Sequence, residues 1–346
     1  MKALVLKKIG EVEYEEYPNP LMDVNNNVLV KISAVGICGS DIQGFLGNTG
    51  RRIPEMIMGH EMAGEIISIL PGSQNSQQLK VGDKVVILPF INCKECDNCR
   101  EGKTNFCIHP KKYYGILSDD GGMCDYISID ASHLVKLPPN ANLIHAALAE
   151  PLAVAYSAAK KMQGDTSQPI LVFGAGTIGL LALCSLRALG YSRIYVCDTN
   201  TRRLKIAETL GAAEGVLPEN LHDARWMDER TQGKGFAQIF DAVGVPSTYA
   251  SGMKAARIGA TLVWVGNACK SYEISIPELV MRELAIRGSF IYNEVEIIEA
   301  ISMITEGKID FDPIIELILP MSEGKNAFNR LAVQKEDVIK TVLINV

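Results

Sequence analysis

No apolar run in this sequence approaches the roughly 18–20 residues that a membrane-crossing helix requires. Positive charge is also in short supply, with 34 Lys+Arg against 40 Asp+Glu and a formal net charge of −6. A nucleic-acid partner would call for a basic face to meet its phosphates, and the chain offers none. The opening residues, MKALVLKKIGEVEYEE, return to Lys and Glu too soon to form the apolar core of a signal peptide. Low-complexity tracts, long linkers and internal repeats are missing as well. The expected setting is therefore a reducing cytosol, where disulfides do not persist. Against these absences stand nine Cys, four of them between residues 93 and 107, and in a reducing compartment such a cluster points to metal. With 346 residues, 47% of them hydrophobic, the chain exceeds one comfortable core and predicts two domains.

The text changes character along its length. VLVKISAVG, EMAGEIISIL, DKVVILPF and MCDYISI are short apolar stretches bounded by turn residues, and they predict strands. No helical period of useful length is expected before Asn142, after which LIHAALAEPLAVAYSAAKKM reads as helix, started or kinked at Pro151. Strand and helix then alternate: PILVFG, TIGLLALCSLRALG, RIYVCD, TRRLKIAETLGA. That rhythm predicts a parallel sheet covered on both faces. A β-rich first domain and a doubly wound α/β domain follow, with a tail that ends in the strand KTVLINV.

Gly174-Ala-Gly176-Thr177-Ile178-Gly179 leaves a predicted strand and opens a predicted helix. In that context the glycines allow a tight turn, a close approach of a pyrophosphate and tight helix–strand packing. The helix N-terminus would face the phosphates with free N–H groups. Asp198, at the end of the next strand, is placed to accept hydrogen bonds from an adenosine ribose, which favours NAD over NADP. Arg202 and Arg203 lie close enough to accommodate a 2′-phosphate, with Arg203 the candidate for cofactor contact.

Cys93-x2-Cys96-x2-Cys99-x7-Cys107 can close a tetrahedron of thiolates around Zn²⁺ with no open position, which defines a structural site. Lys94, Arg100 and Lys103 are expected to offset its negative charge. An iron–sulfur cluster is the competing metal, disfavoured by the lack of a second Cys group. The remaining candidates are Cys38, Ser40 and Asp41 in GICGSD, His60 and Glu61 in GHE, and Glu150 in AEPL. Each is weak alone, since a single Cys is more often a buried filler. Cys124, Cys184, Cys197 and Cys269 are read in that way, and His109 as solvent-exposed.

In this order, and ahead of GAGTIG, the motifs GICGSD, GHE, VGDKV, the four-Cys loop, GG-x2-DY and AEPL resemble the zinc-dependent medium-chain dehydrogenase/reductase family across the whole chain. The Glu before Pro at Glu150 is similar to the polyol branch, the sorbitol and galactitol-phosphate dehydrogenases. The resemblance implies a GroES-like β-barrel catalytic domain over 1–152, completed by 291–346, and a Rossmann NAD-binding domain over 153–290. It implies two zincs per chain, one structural and one catalytic. The catalytic one would be held by Cys38 and His60 with Glu61 or Glu150, Glu150 ranked slightly higher, and a fourth position open. Zinc in an open site acidifies a bound hydroxyl, and hydride then passes to the nicotinamide.

Ser40 is placed to relay the proton and Asp41 to orient His60 from behind. Some relatives end the relay with His where this chain has Gln43. Phe45, residues 48–52, Tyr114 and residues 289–292 are expected to wall the substrate, and the pair Arg51-Arg52 to offer a phosphate clamp. The expected substrate is a polyol or polyol phosphate, with 2,3-butanediol or L-threonine as alternatives. A non-catalytic NAD- and zinc-binding protein is a further alternative. A homodimer or homotetramer is implied by resemblance alone.

Overall fold

The computed structural model describes residues 1–72, 78–110, 112–117 and 119–345. The chain forms two compact units, one of Met1–Glu150, Ile297–Gly307 and Ile315–Val346, the other of Pro151–Glu296 and Lys308–Ile314.

In the first unit the apolar stretches become strands. The largest sheet runs in the order Leu134–Lys136, Lys84–Ile87, Glu61–Ile69, Val28–Ile37, Lys340–Ile344, Ile315–Pro320, and Tyr126–Ile129 also pairs with Val28–Ile37. Val28–Ile37 is the organising strand, antiparallel to Glu61–Ile69 and to Lys340–Ile344. A smaller sheet of Glu11–Glu16, Lys2–Lys8 and Met56–Ile57 shares the same core, through Leu4, Leu6, Ile32, Met58, Ile66 and Phe328. Each such fully buried side chain contributes about 1.5–3 kcal/mol relative to exposure.

Two helices arrive before Asn142 among the described residues, the single turn Asp97–Arg100 and the longer Gly39–Phe45. Only Asp41, Gly44 and Phe45 of Gly39–Phe45 are buried, too short and too polar a face to show as a period in the sequence. Asn142 caps Leu143–Ala147 through its Oδ1, and a second helix, Ala149–Lys160, follows after a break at Leu148. Pro151 sits in the first turn of that second helix, where its missing N–H has no helical partner to lose.

The second unit is built on six parallel strands in the order Glu214–Val216, Ile194–Cys197, Ile170–Phe173, Phe236–Asp241, Ala256–Trp264, Ala285–Gly288. In sequence terms that order is 3-2-1-4-5-6, with the chain reversing direction beside the first strand, where open α/β sheets bind dinucleotides. Thr177–Ala188 and Thr201–Thr209 are the first two crossover helices, the latter burying Leu204 and Ala207.

Candidate active site and metal centres

Antiparallel pairing assembles the first cluster. Gly36 lies opposite Glu61 across the two strands, so Cys38, just past one strand end, comes beside His60, just before the other. One ligand atom from each of Cys38, His60 and Glu61 lies within 4.8 Å of the others, a spacing suited to one cation. A Cβ at residue 36 would collide with the Glu61 carboxylate, which accounts for glycine there. Cys38 also N-caps Gly39–Phe45: its sulfur accepts from the Ser40 N–H at 3.5 Å, and Asp41 Oδ2 accepts from the Cys38 N–H at 3.1 Å. The helix start thereby fixes the thiol.

Asp41 is fully buried, and its Oδ1 lies 3.5 Å from His60 Nδ1. Nδ1 makes no well-formed hydrogen bond among the described residues, and its separation from Asp41 is that of a loose ionic contact. This buried nitrogen, turned toward a carboxylate, leaves Nε2 for a metal, as the donor set requires. Burial opposes charge on His60, but Asp41 and Cys38 hold its pKa well above the ordinary value. Burial likewise works against the Asp41 carboxylate, and His60 and Arg52 hold it well below the usual range.

Two cations that sequence reading misplaced or missed complete the cluster. Arg52 was expected to clamp a substrate phosphate, yet its side chain is 2% exposed and ion-paired with Asp41. Its Nε and Nη2 donate to Asp41 Oδ1 at 3.2 and 2.7 Å, so the Arg51-Arg52 clamp does not form. Lys340, passed over in the final strand, donates to Glu61 Oε1 and Oε2 at 2.8 and 2.6 Å and to the Ile37 carbonyl at 3.0 Å. A lysine inside the apolar run VIKTVLINV was the available signal, since a buried cation needs a buried anion.

Glu150 lies outside the close trio, in the first turn of Ala149–Lys160. Burial, opposed by His60 and reinforced by Glu61, pushes its carboxyl up to about 7. Two expected walls are core instead: Phe45 packs on Phe328 at 5.4 Å, and Tyr114 is 5% exposed. Gln43 is exposed, with its Oε1 accepting from the Asn48 amide.

The second cluster joins Cys93, Cys96, Cys99 and Cys107, whose sulfurs also lie within 4.8 Å of one another. All four are free thiols. The Cys93 and Cys96 N–H groups donate to Cys107 Sγ and Cys93 Sγ, each at 3.3 Å. Backbone N–H groups of Glu95 and Cys96 bring Cys93 down to about 6, while burial pushes Cys99 up to about 12. Four sulfurs so crowded cannot all ionise without a cation, and Zn²⁺ fits that donor set. The expected charge offset is weaker than the sequence suggested, because Lys103 pairs with Glu101 at 2.7 Å and Arg100 with Asp97 at 3.8 Å. Cys124, Cys184 and Cys197 are buried, Cys269 is only half-buried, and His109 is exposed.

In the second unit Gly174 follows Ile170–Phe173 at φ 95°, a conformation open to glycine. Gly176 caps Thr177–Ala188, with Ile178 in its first turn. A Cβ at Gly179 would overlap the Gly174 carbonyl, whereas one at Gly176 would meet only Arg203 Nη1 at 3.6 Å. The second glycine therefore opens onto free space beside a guanidinium, as a pyrophosphate requires. Asp198 Oδ2 accepts from the Ala175 N–H at 2.7 Å and Oδ1 from the Asn200 N–H at 2.8 Å. Each oxygen keeps a lone pair for a ribose hydroxyl.

Residues 24–139 match the Alcohol dehydrogenase GroES-like domain family, and residues 177–306 match the Zinc-binding dehydrogenase family. D-xylulose reductase A of Aspergillus oryzae is 31% identical over 352 residues, covering 99% of this chain and 96% of that protein. Among solved structures, L-idonate 5-dehydrogenase from Escherichia coli superposes with a TM-score of 0.88 at 29% identity, covering 99% of this chain and 97% of that one. Galactitol-1-phosphate dehydrogenase from Escherichia coli gives 0.89 at 26% identity, covering 99% of this chain and 100% of that one. The chain belongs to the zinc-dependent medium-chain dehydrogenase/reductase family. It is a zinc-binding dehydrogenase, an oxidoreductase of alcohol groups.

Proposed function

We propose that the chain oxidises a secondary hydroxyl of an unphosphorylated polyol, reversibly, with NAD as hydride acceptor. The observation that carries this reading is the Cys38, His60 and Glu61 trio, with a second buried carboxylate, Glu150, in the same unit. We take Cys38, His60 and Glu150 as the ligands of the catalytic zinc, and Cys93, Cys96, Cys99 and Cys107 as those of a structural one. Charge supports that choice. Arg52 balances Asp41 and Lys340 balances Glu61, and among the described residues no cation pairs with Glu150. A divalent ion beside the Cys38 thiolate and the Glu150 carboxylate leaves no net charge in a buried site.

Bound there, zinc supplies Lewis-acid chemistry that makes a hydroxyl acidic near neutral pH. Ser40, two residues from Cys38, takes up and passes on the released proton. Asp41 orients the His60 ring. Gly174, Gly176, Thr177, Ile178 and Gly179 hold the NAD phosphates, with Asp198 on the ribose and Arg203 beside the pyrophosphate. Free polyol is preferred to polyol phosphate because Arg52 is committed to Asp41. We further propose a homodimer or homotetramer, to be read from its solution mass, and a cytosolic location suited to free thiols.

The test is a substrate panel: NAD⁺ reduction with free polyols, galactitol 1-phosphate, 2,3-butanediol, L-idonate and L-threonine, and NADH oxidation with D-xylulose, before and after chelation. Chelator-sensitive turnover of free polyols or of D-xylulose is expected. No turnover of either, with two zincs per chain retained, would sink the polyol reading.

A further inference from the structure

We infer that Arg52 is a positioning residue of this site, which sets the direction of the Ser40 hydroxyl and the place of the Asp41 carboxylate behind His60. The inference rests on the reading of Cys38, His60 and Ser40 as the reacting centre. Arg52 Nη2 donates at once to Asp41 Oδ1, at 2.7 Å, and to Ser40 Oγ, at 3.1 Å. Nε donates to that same Asp41 Oδ1 at 3.2 Å. This is the oxygen that faces His60 Nδ1 at 3.5 Å, so one guanidinium fixes the atom that supports the imidazole.

The second contact has a separate consequence. A guanidinium only donates, and it keeps its protons at any working pH. Ser40 Oγ must therefore accept from Arg52, which occupies one lone pair and turns the hydroxyl hydrogen away from Arg52. Its hydrogen is left to point at the reacting oxygen or at water, and no proton can leave through Arg52. The relay has a blind side, and it is this one.

The surroundings are fitted to the arginine. A Cβ at Gly44 would collide with Arg52 Cγ, so the helix that begins at Cys38 gives up a side chain to admit the arginine stem. From behind, Leu117 N–H donates to the Arg51 carbonyl at 2.7 Å and Ile53 N–H to the Leu117 carbonyl at 3.2 Å, which braces the backbone on both sides of Arg52. A planar fork held in this way serves two acceptors in fixed directions, and an ammonium cannot reproduce both.

Arg52→Lys and Gly44→Ala test the inference in the full-length, zinc-loaded protein. The first keeps the charge and loses the fork; the second keeps both partners and displaces the stem. Both are expected to retain two zincs per chain. Their kcat should fall by about tenfold or more, with KM moving less than about threefold, since misplaced groups cost most in the transition state. Nitrogen-15 spectra of the histidine rings should show the His60 Nδ1 signal displaced in both variants. That signal requires no substrate, so it remains informative even if the polyol panel fails. Asp83→Asn, which breaks the Asp83–Lys136 pair on another strand, serves as control and should leave kcat and the His60 signal alone. Wild-type kcat and an unmoved His60 signal in both Arg52→Lys and Gly44→Ala would show Arg52 to be a structural brace only, and would overturn the inference.

Discussion

Lys340 Nζ lies 2.6 and 2.8 Å from the two carboxylate oxygens of Glu61, and both side chains are 2% exposed or less. Burial works against the ammonium, and the Glu61 charge more than offsets it, so Lys340 stays protonated above its ordinary pKa. The pair holds back the carboxylate that lies at metal-ligand spacing from Cys38 and His60. Removing one partner of such a pair costs about 3–5 kcal/mol, because the other is left charged and alone. Lys340→Met is therefore expected to lower the melting temperature strongly in chelated protein and much less in zinc-loaded protein, where Glu61 can turn to the metal. Equal losses by differential scanning fluorimetry with and without zinc would count against this arrangement.

The ligand assignment makes a paired prediction. Glu150→Gln should leave one zinc per chain and reduce kcat by at least about a hundredfold, since the open metal site is lost. Glu61→Gln should keep two zincs and most of its turnover. Metal content by mass spectrometry decides between them, and the reverse pattern would make Glu61 the ligand.

Asp198 has two jobs, holding the glycine turn through Ala175 and facing the ribose. Its loss removes hydrogen bonds worth roughly 1–2 kcal/mol in all. Asp198→Ala is expected to raise KM for NAD by roughly five- to thirtyfold. It should also narrow the preference over NADP, because the repulsion of a 2′-phosphate goes with it. Comparing kcat/KM for the two cofactors checks both effects, and an unchanged ratio would remove Asp198 from cofactor choice.

Asp241, at the end of Phe236–Asp241, accepts at Oδ1 from the Val243 and Gly244 N–H groups, each at 2.8 Å, while Oδ2 makes no well-formed hydrogen bond among the described residues. Burial lifts its carboxyl above the ordinary value. The folded chain thus binds this proton more tightly than the unfolded one. Below the usual carboxylate range both states carry the proton, and nothing is lost. As pH climbs through the unfolded value and on through the folded one, stability falls. Asp241→Asn removes that slope, so its advantage over wild type should be greatest near neutrality and close at a pH below the ordinary carboxylate range. Urea midpoints at the two pH values measure it.

Local spacing carries the parts of this protein whose chemistry is local. The glycine turn at 174–179 and the cysteine loop at 93–107 are complete within single segments, so their residue types and intervals are enough to read them. Cys38 and His60 are separate in sequence, and an ordered set of motifs was needed to bring them together before the strand register did. The two cations resisted reading because their meaning lies in a distant partner. Arg52 in RRIP looks like surface charge or a phosphate clamp until Asp41 is seen beneath it. Lys340 is bound to a carboxylate 279 residues away, and no window of sequence holds both.

That last separation also orders events in time. At a synthesis rate of about 5–20 residues per second, the Glu61 strand waits roughly 15–55 s for the lysine that neutralises it. Until then the nascent sheet carries a carboxylate without its counter-charge, and Ala34–Ile37 of the strand between Glu61 and Lys340 lack their partner on one side. Closure of that edge therefore waits on a strand made long after its neighbours in the sheet.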